Sequence, residues 1–329
     1  MYRKIVVGYD GSEQAKDALA LAAQLRDEDG VVIAGCVYPA TGPGRGQQLE
    51  PILADAARES VAEARQQIDA DWLSLQAVLG HSPAHGLHVL AEEAEADLVV
   101  VGSSHRGNVG RVLAGSTGER LLNGSPCPVA VAPKGFAARA QTPQVVGVAF
   151  DGSEEAAAVL HEGAALADEF DATLKLVTVV PPLAAFTTDP SDPRYYTDEE
   201  IDQFRREEFR RMLEDAAEPL PDERRVQTVL VEGRPAAKIV DEAGKDIDLL
   251  VMGSRNYGPI RRVMVGSTAI AVMRRSPCPV LVIPRGAATP SADAAATAAT
   301  TGSGPGRTAV APGADVRFLL TSLVEPSSG

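Results

Sequence analysis

The chain has 329 residues, a formal net charge of −14, and 45% hydrophobic, 23% charged and 4% aromatic residues. That length suits two domains of roughly 150 residues, each with its own core. The acidic balance opposes general binding to DNA or RNA, which needs clustered Lys and Arg against phosphates.

In chain order, Lys4 to Asp10 reads as a strand ending in a turn. Ala15, Ala18, Leu19, Ala22 and Leu25 then give Ser12 to Arg26 helical spacing. Val31 to Tyr38 reads as a second strand, Glu50 to Trp72 as a long helix, and Leu73 to Leu79 as a third strand. His85 to Glu95 is expected to be helical, Leu98 to Gly102 a buried strand, Thr117 to Asn123 a helix and Val129 to Ala132 a closing strand.

The same order returns at Val145 to Asp151, Glu154 to Glu169, Thr173 to Val180, Asp198 to Glu218 and Val226 to Glu232. It finishes at Pro235 to Ala243, Leu249 to Gly253, Thr268 to Arg274 and Val280 to Pro284. Asp97-Leu-Val-Val-Val-Gly-Ser103 is answered by Asp248-Leu-Leu-Val-Met-Gly-Ser254, Gly115-Ser-Thr by Gly266-Ser-Thr, and Ser125-Pro-Cys-Pro-Val by Ser276-Pro-Cys-Pro-Val. All three pairs sit 151 residues apart, the mark of a duplicated domain. Strand-helix alternation gives an α/β fold with a parallel sheet covered on both faces.

The expected boundaries are 1–137 and 143–286 for the two domains, with a disordered Ala, Thr, Gly and Pro-rich tail over 287–329 that ends in a largely apolar run, Val316 to Val324. Repeat two carries ten extra residues between its first Asp and its Gly, placed in the loop Pro181 to Asp198. No apolar stretch approaches the ~20 residues of a membrane span and the start shows no signal pattern, so a cytoplasmic setting is expected. Cys36, Cys127 and Cys278 make no disulfide framework and read as small buried residues. His81, His85 and His88 lie close together, but repeat two has Glu232, Ala236 and Ile239 there, so they read as surface histidines.

Two constellations carry chemistry. Asp10-Gly-Ser and Asp151-Gly-Ser follow the first strand of each repeat, where ligands of doubly wound sheets sit. Such an Asp accepts hydrogen bonds from a ribose or base, or else it or the Ser caps the next helix. The second constellation is Gly102-Ser-Ser-His105, nine residues, Gly115-Ser116, matched by Gly253-Ser-Arg-Asn256, nine residues, Gly266-Ser267. Small residues at a strand end and a helix start let a phosphate approach backbone amides, or serve tight turns alone. Arg255, Arg261 and Arg262 near the second copy, against Arg106 and Arg111 near the first, favour repeat two as the tighter site. So does Ser116-x-x-Glu119, read as a capping box whose carboxylate competes with phosphate, where repeat two has Ile270.

At these residues the chain resembles the universal stress protein family in a tandem arrangement from about Tyr2 to Pro284. Nucleotide-binding members of that family carry Gly, two residues, Gly, nine residues, Gly, then Ser or Thr. The resemblance implies two Rossmann-like domains, each a five-stranded parallel sheet, paired through their last strands. It further implies that Asp10 and Val37 meet an adenosine, Gly102 the ribose-phosphate turn, and Gly115, Ser116 and Thr117 the phosphates. In repeat two the matching residues are Asp151, Val179, Gly253, Gly266, Ser267 and Thr268. Both copies depart at the middle Gly, which is His105 in one and Asn256 in the other. Asn tolerates positive φ better than His, which again favours repeat two. The expected ligand is ATP, with Mg²⁺ as an optional companion. The expected role is a nucleotide-dependent regulator with protein partners, open to homodimerisation, without an enzyme's apparatus; a pure interaction module with degenerate pockets and a slow ATPase are the alternatives.

Overall fold

Leu98-Val99-Val100-Val101 is apolar without alternation, and each successive side chain enters a different core. Leu98 and Val100 join one buried cluster, Val99 and Val101 the other. A strand covered on both faces needs such a sequence. The structure is a computed structural model and describes residues 1–40, 49–67, 70–103, 116–182, 198–221, 225–254 and 266–284.

Repeat one runs β1 Tyr2–Gly8, α1 Glu13–Leu25, β2 Arg26–Pro39, α2 Glu50–Gln67, β3 Leu73–Gly80, α3 Pro83–Glu93, β4 Leu98–Gly102, α4 Ser116–Leu122 and β5 Val129–Ala132. Repeat two runs β6 Val145–Ala149, α5 Glu154–Glu169, β7 Thr173–Val180, α6 Asp198–Ala217, β8 Val226–Glu232, α7 Pro235–Asp246, β9 Leu249–Gly253, α8 Ser267–Met273 and β10 Val280–Ile283. The strands form one ten-stranded sheet in the order β3-β2-β1-β4-β5-β10-β9-β6-β7-β8. Pairing within each repeat is parallel. The repeats meet through their last strands, antiparallel, with Val280 opposite Val131 and Val282 opposite Val129. Helices α1, α2, α5 and α6 contribute to the core on one face, and α3, α4, α7 and α8 to that on the other.

Several repeated residues turn out to hold the fold. Asp97 Oδ2 accepts from the amides of Arg3 and Lys4, and Asp248 Oδ2 accepts from those of Gln144 and Val145, so each pins the start of its repeat's first strand. Ser125 and Ser276 donate to the carbonyls of Cys127 and Cys278, shaping the turn into the last strand. Burial pushes both of those thiols up to about 12, which keeps them protonated and unreactive.

Element ends differ from the expected ones for local reasons. α3 begins at Pro83 rather than His85, because the Ser82 hydroxyl caps it by accepting from the His85 amide, with Pro at the first helical position. The long helix expected to reach Trp72 ends at Gln67, and the Trp72 ring lies beneath the Arg26 guanidinium at 4.9 Å. β2 begins at Arg26 instead of Val31, since Arg26 already pairs with Tyr2 before the register shifts. The loop over 183–197 and the tail, including Val316 to Val324, lie outside the described residues.

Candidate functional site

In repeat one the chain leaves β1 toward β2 and returns to β1's other side as β4. The same divergence separates β6 from β9. A crevice opens at such a switch point beyond the carboxyl ends of the strands. Asp10 and Gly102 flank the first crevice, Asp151 and Gly253 the second.

Each Asp is positioned by the turn that follows it. Gly11 has φ +77° and Gly152 +73°, a region glycine enters without a steric cost. That turn brings Ser12 back, so Asp10 Oδ1 accepts from the Ser12 amide at 3.1 Å and from its hydroxyl at 2.5 Å. Asp151 and Ser153 repeat this at 3.1 and 2.6 Å. The serines are the helix caps, accepting from the amides of Ala15 and Ala156. Capping therefore falls to Ser12 and Ser153, and the exposed aspartates stand at the crevice mouth.

Val37 turns its main chain, and not its side chain, toward the end of β1. Its side chain packs on α3, where Gly86 makes room: a Cβ there would lie 2.6 Å from Val37 Cγ1. On β2, the Gly35 carbonyl accepts from the Tyr9 amide, so odd-numbered residues aim their polar groups at β1. β1 ends at Gly8, and Val37 is the next rung with that orientation. Its N–H and C=O point above Asp10, past the end of β1. In repeat two the Val177 carbonyl accepts from Phe150, and Val179 is the corresponding open rung above Asp151.

The glycines ending β4 and β9 differ. A Cβ on Gly102 would fall 2.1 Å from the Gln14 carbonyl oxygen, because the first turn of α1 lies against it. Gly102 is therefore required by helix-strand packing. On Gly253 the nearest atom to such a Cβ is Val159 Cγ2 at 3.4 Å, so the first turn of α5 stands further back from its glycine than that of α1.

α4 begins at Ser116 rather than Thr117, with Thr117 in its first turn. Gly266 is the N-cap of α8 without a side-chain cap bond, and Ser267 and Thr268 open that helix. The Glu119 carboxylate accepts from Arg274 Nε at 2.6 Å, across the boundary between repeats. His105, Gly115, Asn256 and the arginines at 106, 111, 255, 261 and 262 lie outside the described residues.

Cys36 sits beside the first crevice, where burial and then the Asp10 carboxylate push its thiol up. Away from the crevices, His81 and His85 meet ring to ring at 5.2 Å and His88 contacts Glu92. No group of three His, Cys, Asp or Glu suited to a metal occurs among the described residues. A groove of about 650 Å³ lies between α6 and the Asp151 turn, with Phe150 and Met212 against Glu207, Glu208 and Asp215. Three carboxylates make it a poor seat for a polyanion. No described helix is long and apolar enough to cross a membrane.

The sequence matches the model of the universal stress protein family twice, over residues 1–133 and 143–284. The chain belongs to that family. It is similar to a universal stress protein of Mycobacterium tuberculosis, 27% identical over 291 residues that cover 85% of this chain and 99% of the relative. It also resembles the single-repeat universal stress protein YxiE of Bacillus subtilis, 32% identical over 41% of this chain and 95% of the relative. Among solved structures, a universal stress protein of Archaeoglobus fulgidus superposes with a TM-score of 0.62 at 21% identity, covering 86% of this chain and 98% of that one. That likeness extends the family's fold over both repeats as a tandem pair.

Ser103 and Ser254 follow those strand-ending glycines inside the same motif. Ser103 Oγ donates to the Ala132 carbonyl at 3.0 Å. Ser254 is 4% exposed, and its hydroxyl has no hydrogen-bond partner among the described residues.

Proposed function

We propose that the chain is an ATP-binding regulator of the universal stress type, holding the nucleotide at the carboxyl edge of its repeats. One arrangement carries this reading: an exposed Asp, fixed by its own Ser, stands below an open main-chain rung at a switch point, and it does so twice. The Asp10 and Asp151 carboxylates suit ribose hydroxyls. The N–H and C=O of Val37 and Val179 suit the donor and acceptor edge of adenine. Thr117, Ser267 and Thr268 stand at helix starts, where hydroxyls and amides favour phosphate oxygens and any Mg²⁺ they carry. Ser116, Gly115, His105, Gly266 and Asn256 complete the two sets by position. The role assigned is binding rather than turnover, with occupancy biasing conformation and the choice of protein partner.

Equilibrium dialysis of the full chain against ATP, with and without Mg²⁺, tests the reading, together with mass analysis of nucleotide released from freshly purified protein. Intact ATP at one or two per chain is expected. Protein that takes up none at millimolar concentration overturns it.

A second reading applies to repeat one alone. The Gln14 carbonyl lies against Gly102 with no equally close approach at Gly253, which favours a degenerate pocket there and the main site in repeat two. Asp151→Ala is then expected to cost at least tenfold in ATP affinity and Asp10→Ala less than threefold. The reverse order in the same titration removes the ranking.

A further inference from the structure

Phe204, Glu208, Met212 and Asp215 recur at helical spacing along α6 and line the groove of about 650 Å³ beside the Asp151 turn. Nearly buried Phe150 lines it from the sheet side. Phe204 is 72% exposed, the most exposed large apolar side chain among the described residues. Apolar surface gathered in a concave patch is stabilised by a group that covers it. Arg210 and Arg211 both pair with Glu207, which leaves Glu208 and Asp215 exposed and with no ion pair among the described residues. The fitting occupant is therefore apolar and carries a positive charge.

The groove belongs to repeat two. A Cβ on Gly152 would collide with Met212 Sδ, whereas one on Gly11 would meet nothing within 4 Å. α6 thus packs on its Asp-Gly-Ser turn, a contact that the turn of repeat one lacks among the described residues.

The chain itself supplies an occupant. Ile283 of β10 lies opposite Gly253, and Ala149 of β6 opposite Met252, so Pro284 leaves the sheet on the same edge as Phe150. Only β9 stands between β10 and β6, a separation of about 10 Å. Val316 follows Pro284 by 32 positions, and a coil of that length averages about 30 Å end to end. The run Val316 to Val324 holds Phe318, Leu319, Leu320 and Leu323, with Arg317 as its single charge. Covalent linkage gives such a segment a high effective concentration at the groove.

We infer that Val316 to Val324 docks on its own chain in the groove between α6 and the Asp151 turn. Phe318 and its leucine neighbours cover Phe150, Met212 and Phe204, and Arg317 faces Glu208 and Asp215. Through Met212 the docked run bears on the turn that carries Asp151. The inference does not depend on which ligand the crevices hold.

Trypsin digestion of the full chain, with the first products weighed by mass spectrometry, tests it. Arg317 lies inside the docked run and Arg307 before it, so each sample carries its own control. Cleavage follows the population of the undocked segment, so the ratio of first cuts at Arg317 to those at Arg307 is expected to rise about tenfold in Phe204→Asp. Phe204→Gln, judged folded by circular dichroism, is expected to shift the ratio the same way and covers the case in which the Asp variant does not fold. Glu208→Lys combined with Asp215→Lys should also raise it, through repulsion of Arg317. A ratio unchanged from wild type in the folded Phe204 variants overturns the docking. Protection of Arg317 that weakens on serial dilution of the wild type assigns the groove to the tail of a second copy, and the docking within one chain is then wrong.

Discussion

Ser12 and Ser153 use one hydroxyl in two directions, donating to the Asp two residues earlier and accepting from the amide three residues later. Helix capping and site geometry are thereby tied to the same atom. Replacing Ser12 by Ala is expected to destabilise the protein by about 1 kcal/mol, the usual worth of such a cap. It also removes one of the bonds that hold Asp10, so any nucleotide affinity of repeat one is expected to fall with stability. Ser153→Ala does the same in repeat two. Urea titrations paired with ATP dialysis check both arms, and a stability loss without an affinity loss in Ser153→Ala would separate cap from site. Residue types announced the Asp turns because the Asp-Gly-Ser string recurs after an apolar run. They did not announce Val37 as a main-chain donor and acceptor, since that depends on where β1 stops. Nor did they distinguish Ser254 from Ser103, because Gly-Ser reads identically in both copies and only the packing around it differs.

At the scale of elements, the apolar runs made the ten strands and their order of appearance legible, and duplication made each assignment twice. What escaped the sequence lies at element ends, where a cap such as Ser82 or an early strand pairing such as that of Arg26 with Tyr2 decides the boundary. The glycine that closes β4 shows the same limit: its need follows from the approach of Gln14, a residue 88 positions earlier. Duplication has also allowed one interface to diverge. Between β7 and α7, buried Lys175 lies 2.6 Å from Asp246 and 3.7 Å from buried Glu242. The equivalent residues between β2 and α3 are Ile33 and Ala91. A buried ion pair contributes little net stability, while removing one partner strands the other. Glu242 also accepts from Lys245 at 2.6 Å, so Lys175→Ile leaves it one partner and is expected to cost about 1–3 kcal/mol. Lys175→Ile combined with Glu242→Ala restores the apolar pair of repeat one and is expected to recover most of that loss. Thermal unfolding of both variants and of Glu242→Ala alone decides it, with an additive double variant counting against a coupled pair.

Across the whole molecule, the two repeats share one sheet and one pair of cores, so they are expected to unfold together. The β5–β10 seam is reinforced from outside the sheet. The Asp17 carboxylate accepts from the amides of Gly135 and Ala137 and holds the connection between repeats against α1. Arg274 reaches Glu119, and the buried Tyr2 hydroxyl of β1 donates to Glu162 of α5 at 2.7 Å. The last contact has a signature in pH. Burial, and then the Glu162 carboxylate, raise the Tyr2 phenol well above its ordinary value of 10.0. Below pH 10 the folded and unfolded chains both keep that proton, and the contact contributes in full. Above pH 10 the unfolded chain releases it while the folded chain retains it, so stability falls by about 1.4 kcal/mol per pH unit. Tyr2→Phe is expected to cost about 1–3 kcal/mol at neutral pH and to lack this alkaline slope. The difference between wild-type and Tyr2→Phe unfolding energies, measured in urea from pH 8 to 11, should therefore shrink above pH 10. A constant difference across that range would mean that the phenol is not held protonated at the boundary between the repeats.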